Sequence, residues 1–131
     1  PTLMMSAGHD RLAPASRVLD HYASAQGPKR LVSIDNAGHL AFTDVCTIAR
    51  GQGGVLRLAN DSGIRIPPIV LLLGNDGCRE ADLAAERAWP SIKHYTTAHL
   101  RSHLGLDSAP LELGADSTRC FAPVGIDYRY Q

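Results

Sequence analysis

The sequence predicts an α/β fold in which parallel strands are joined by a crossover helix. Three consecutive stretches carry this expectation. Residues 2–7 form an apolar run that ends at Gly8, as suits a strand buried on both faces of a parallel sheet. Over residues 14–25, Val18, Leu19, Tyr22 and Ala23 recur at three- and four-residue spacing, with Ser16, Arg17, Asp20 and Ser24 largely between them, the pattern of an amphipathic helix. Residues 29–35 return to strand, with Leu31, Val32 and Ile34 as the apolar residues. A strand, a helix and a strand within about 35 residues form a βαβ unit, which requires parallel strands. Two parallel strands make a poor sheet alone. The expectation is therefore an incomplete domain, completed by a missing N-terminal portion or a companion chain.

Composition narrows the class further. At 131 residues, 44% hydrophobic and 20% charged, the chain suits one globular domain with a sizeable core. Thirteen basic residues balance thirteen acidic ones, and no basic run recruits nucleic acid. The longest apolar run, residues 69–73, is far short of the roughly 20 residues a membrane span needs. The three cysteines, Cys46, Cys78 and Cys120, allow one disulfide with one free thiol, or three buried reduced thiols. A Cys46–Cys78 bridge would lean towards an exported protein.

In chain order, Gly8 to Pro14 is the first turn, with Pro14 placed to open the helix and Gly27-Pro28 to end it. A short helix is expected over residues 40–48, after the loop bearing Gly38 and His39. Gly51-Gln52-Gly53-Gly54 lacks the lysine and spacing of a phosphate loop and reads as linker. A helical turn over 55–59, turns at 60–63 and 74–77, and an extended Pro67-Pro68 complete an insertion over about 47–88. Residues 69–73 fit a strand or a buried helix equally. Helix is expected over 80–88, a break at Pro90, and a second helix over 91–104 closed by Gly105. Residues 1–105 thus form the α/β portion, and 106–131, rich in proline and glycine, an irregular tail.

The chemistry gathers at two positions. Asp10 follows the first strand and His39 the second, and in open parallel sheets working groups collect at the strands' carboxyl ends. Adjacent strands lie about 4.8 Å apart, so loops leaving the same edge can bring a carboxylate to an imidazole. Asp10 would hold Nδ1–H and leave Nε2 free to take a proton from a hydroxyl. Asp35 is an alternative carboxylate for His39, although its place on the same loop suits capping a turn. His9 is read as solvent-exposed with a cleft-lining alternative, Asp44 as a cap or ion-pair residue, and Phe42 as core. Cys78 has no histidine placed to activate it. His99 and His103 share a helix face at zinc-binding spacing, but Leu100 stands where a metalloprotease motif needs glutamate. They read as surface or core histidines, with a zinc site as a minor alternative.

Pro1-Thr2-Leu3, Gly8, Asp10 and Pro14, followed by Gly38-His39-Leu40-Ala41-Phe42-Thr43-Asp44, resemble the C-terminal third of an α/β-hydrolase. More narrowly, they are similar to the dienelactone-hydrolase-like and platelet-activating-factor-acetylhydrolase-like branch. The resemblance covers residues 1–46 and extends to 89–105, where residues 92–104 look like the fold's closing helix. It implies an acid role for Asp10 and a base role for His39 in a Ser-Asp-His triad, an ester or related acyl substrate, and no metal or organic cofactor. The family's serine precedes both, in a Gly-x-Ser-x-Gly elbow. No serine of this chain has that context, so the expectation is a C-terminal fragment that supplies two triad members. The alternative is a non-catalytic α/β module that binds a partner through its sheet edge and apolar faces.

Overall fold

The computed structural model of the chain describes residues 1–107, 109 and 112–131. Its first 34 residues are the expected βαβ unit: β1 (Thr2–Ala7), α1 (Ala15–Ser24) and β2 (Lys29–Ile34). The two strands pair in parallel, from Thr2 opposite Lys29 to Ala7 opposite Ile34. The end of α1 is fastened by Lys29, whose Nζ donates to the Ala23 and Ala25 carbonyls at 3.1 Å and lies over the Tyr22 ring. A lysine there suits the negative end of the helix dipole. It also keeps its charge hydrogen-bonded although the residue is buried.

The sheet differs from expectation at both edges. β1 is an edge strand, and Thr2 to Met5 are only half-buried where full burial was expected. On the other edge, β3 (Ile126–Tyr130) pairs antiparallel with β2, giving the order β1-β2-β3. The stretch expected to be an irregular tail therefore contains a 3₁₀ helix at Ala115–Phe121 and a strand that adds a third member to the sheet. The strand forms because its side chains alternate. Ile126 and Tyr128 pack on the core and Tyr128 stacks on Tyr95, while Asp127 and Arg129 pair with each other.

α4 (Ala85–His103) is one helix that contains Pro90, where a break was expected. Proline removes one hydrogen bond and crowds the carbonyl four residues earlier, at a cost of about 3 kcal/mol. Burial on both sides of the proline outweighs that cost: Ala85 and Ala88 before it, Ser91 and Tyr95 after it, are all fully buried. The C-terminus ends as expected, with Gly105 at φ +68° and the Leu106 N–H donating to the Arg101 carbonyl.

The insertion holds α2 (Gly54–Asp61) and α3 (Pro68–Leu73). The ambiguous apolar run is thus helical, with Ile69, Val70 and Leu71 largely exposed. The expected helix after His39 is instead two 3₁₀ turns, His39–Phe42 and Val45–Thr47. The core lies between the sheet and α4, where Val32, Ile34, Ala37, Ala41, Ala85 and Ala88 are completely buried. The alanines let α4 approach the turn that begins at His39, and Trp89 Nε1 donates to the Ala41 carbonyl at 3.2 Å. Among the described residues no helix is long and apolar enough to cross a membrane.

Candidate active site

The parallel pair delivers Asp10 and His39 to one sheet edge, and their loops are tied together. Gly8 N–H donates to the Ile34 carbonyl at 2.9 Å and His9 N–H to the Ala37 carbonyl at 2.7 Å. Asn36 turns the second loop with φ 58°, a left-handed conformation that asparagine tolerates better than most residues.

Asp10 uses both carboxylate oxygens. Oδ1 accepts the Leu12 and Ala13 N–H groups at 2.9 and 2.7 Å, which fixes the side chain against its own turn. Oδ2 accepts from His39 Nδ1 at 2.9 Å. The Asp10 side chain is 5% exposed and that of His39 42%. The acid is thus held in the protein and the base faces outward. An ionised carboxylate only accepts hydrogen bonds, so in the neutral imidazole this contact places the proton on Nδ1 and makes Nε2 the ring's acceptor. Nε2 has no hydrogen-bond partner among the described residues.

A second carboxylate–histidine pair stands beside the first. His9 Nδ1 meets Asp82 Oδ1 at 3.1 Å, and Asp82 is held by Arg79 through Nε at 2.9 Å and Nη2 at 3.1 Å. The Gly77 and Arg79 backbone N–H groups also donate to Asp82. Burial works to raise the Asp82 pKa, but hydrogen bonds from Arg79 and His9 outweigh it and hold the carboxyl below its usual range. His9, Asp10, Arg11, Arg79 and Asp82 line one open cleft of about 420 Å³. His9 is accordingly both exposed and cleft-lining. Nothing in the sequence flags Asp82 as a partner of His9, because the two lie 73 residues apart in different loops.

An apolar recess of about 360 Å³, lined by Phe42, Trp89 and Ile92, opens at the far end of the turn that begins at His39. Phe42 is half-buried and packs against the core from there. The insertion is stapled below this region by a Cys46–Cys78 disulfide, while Cys120 is free and exposed. That bridge also removes Cys78 from consideration as a nucleophile.

Two further readings change. Asp35 does not pair with His39: its carboxylate lies where a Gly125 side chain would stand, and its N–H donates to the Gly125 carbonyl. Asp44 occupies the N-cap position of the second 3₁₀ turn without a side-chain cap; its carbonyl receives Thr47 Oγ1–H instead.

His99 and His103 lie far along α4, with ring centroids 4.5 Å apart. His103 Nε2 meets the Arg30 guanidinium at 3.3 Å, so a cation already stands at one of the nitrogens a metal could use. No group of three or more metal-binding side chains occurs among the described residues. Burial, then His103 and Arg30, lower the His99 pKa from its ordinary 6.5; burial and Arg30 lower that of His103. Below pH about 6.5 the unfolded chain therefore binds more protons than the folded one. Stability contributed by these histidines is complete above that pH and is lost as pH falls through their lowered folded values. Urea denaturation from pH 8 to pH 5 is expected to show this decline, and His99→Gln to flatten it. An equally steep decline in the variant would assign the effect elsewhere.

No protein-family model, curated protein or solved structure matches the chain.

Proposed function

We propose that this chain is the C-terminal part of an α/β-hydrolase, and that it supplies the acid and base of a Ser-Asp-His triad acting on carboxylic esters or related acyl bonds. The observation that carries this reading is the 2.9 Å hydrogen bond between His39 Nδ1 and the buried Asp10 carboxylate, at the carboxyl ends of adjacent parallel strands. The serine stands on residues outside this chain. As it attacks the acyl carbon, His39 Nε2 takes its proton, and Asp10 stabilises the imidazolium that forms. The proton then passes to the departing alkoxide. In the second half-reaction His39 takes a proton from water, which attacks the acyl-serine, and returns it to the serine oxygen.

The sheet offers a place for the missing part. β3 occupies one edge, and among the described residues no strand pairs with the other side of β1, where further parallel strands would pair. The apolar recess of Phe42, Trp89 and Ile92 suits an apolar arm of the substrate. Hydrolysis of short-chain nitrophenyl esters tests the division of labour. The 131-residue chain and its His39→Ala variant are expected to show the same background rate. Turnover that depends on His39 in this chain alone would overturn the split triad.

A further inference from the structure

We propose that Asp76 is a positioning residue that sets the Asp10–His39 geometry by holding both of their loops at once. This deepens the reading of Asp10 and His39 as a triad's acid and base and rests on it.

Asp76 lies in the disulfide-stapled insertion, more than 60 residues from the first loop and more than 30 from the second. Its Oδ2 accepts the Arg11 N–H at 2.7 Å, next to the acid. Its backbone carbonyl accepts the Leu40 N–H, also at 2.7 Å, next to the base. Arg11 N–H is the one that precedes the two N–H groups taken by Asp10 Oδ1, so Asp76 and Asp10 share the ordering of a single turn.

The fit around this residue is close. A Cβ on Gly38 would run into the Gly77 backbone and come within 2.8 Å of Asp76 Oδ1. Gly77 itself has φ +99°, which a side chain would strain. The two glycines let the insertion's backbone lie directly on the His39 loop. Asp76 is 3% exposed, and its Oδ1 is buried without a hydrogen-bond partner. Burying a carboxylate this way is costly, and the Arg79 guanidinium, 3.7 Å from Oδ1, offsets part of the charge. A surface turn does not require a buried, half-satisfied carboxylate. A residue that holds two loops from one point needs a side-chain oxygen that reaches the Arg11 N–H while its own backbone carbonyl takes the Leu40 N–H, and Asp76 supplies both.

The test reads the hydrogen bond itself, without activity. In the wild-type chain, proton NMR is expected to show a protected, downfield His39 Nδ1–H, with the Arg11 and Leu40 amides exchanging through the same opening. Asp76→Ala, with native amide dispersion elsewhere, is expected to lose that resonance and to speed Arg11 exchange about ten-fold or more. Asp76→Asn, which keeps an acceptor for Arg11, is expected to retain the resonance. A folded Asp76→Ala that keeps the resonance at wild-type intensity would overturn the proposal. So would a folded Asp76→Asn that loses it. Should Asp76→Ala not fold, the wild-type exchange decides: Arg11 and Leu40 amides that exchange independently of Nδ1–H overturn the proposal. Absence of any protected Nδ1–H from the wild type would instead remove the Asp10–His39 pair, and the functional reading with it.

Discussion

In an enzyme that joins this chain to its serine, His39→Ala is expected to lower kcat by about 10⁴-fold or more while KM changes little. The reason is that Nε2 acts only while bonds to hydrogen are changing. Removing it withdraws stabilisation from the transition state and not from bound substrate. Asp10→Asn is expected to cost a similar order, about 10⁴-fold. The Leu12 and Ala13 N–H groups keep the amide oxygen of the variant on their side, so its NH2 faces Nδ1 and donates. That puts the imidazole proton on Nε2, where the base needs a lone pair. The double variant is expected to be scarcely worse than His39→Ala, since the two act as a unit. A loss under about ten-fold for His39→Ala would assign the base elsewhere. His9, already paired to Asp82 in the cleft that Asp10 also lines, is then the first residue to examine.

The second large effect concerns stability. The Cys46–Cys78 bridge spans 32 residues of sequence. On the chain-entropy account, closing a loop of that length destabilises the unfolded state by about 3–4 kcal/mol. Cys46→Ser with Cys78→Ser is expected to lower the urea midpoint accordingly and to steepen the slope, because the unfolded chain without the crosslink exposes more surface. The loop enclosed by the bridge contains α2 and α3; Leu58 in α2, Ile69, Val70 and Leu71 in α3, and Ile64 between the helices are exposed. Buried apolar contacts do little to hold this segment, so the covalent link carries much of its anchorage. A midpoint unchanged in the double variant would mean that Arg50 with Glu86, and Asp76 with Arg11, anchor the insertion unaided.

The βαβ unit and its two loop residues were legible because local signals are strong there. Apolar runs, a helical period and glycine or proline at each boundary all agree over residues 1–39, and strand ends place Asp10 and His39 together without any long-range information. β3 was also written in the sequence. Ile126, Tyr128 and Tyr130 alternate with Asp127 and Arg129, but the prolines and glycines before them weigh towards an irregular stretch. The continuous α4 was not legible locally. Pro90 is a strong local stop, and only burial of Ala85, Ala88, Ser91 and Tyr95 overrides it. Asp76, Arg79 and Asp82 left no trace beyond turn chemistry at residues 74–77, since their importance rests on contacts with loops far away in sequence. Such pairings depend on how the insertion folds back, which periodicity does not encode.

The most direct test of the central claim is to read the coding sequence immediately upstream of the Pro1 codon. A split triad requires the frame to continue for roughly 150 residues or more, with a Gly-x-Ser-x-Gly elbow after a predicted strand, or a companion chain that carries it. An initiation codon or a processing site directly before Pro1, with no such elbow on any companion chain, would leave Asp10 and His39 without a nucleophile. The chain would then be read as a partner-binding α/β module.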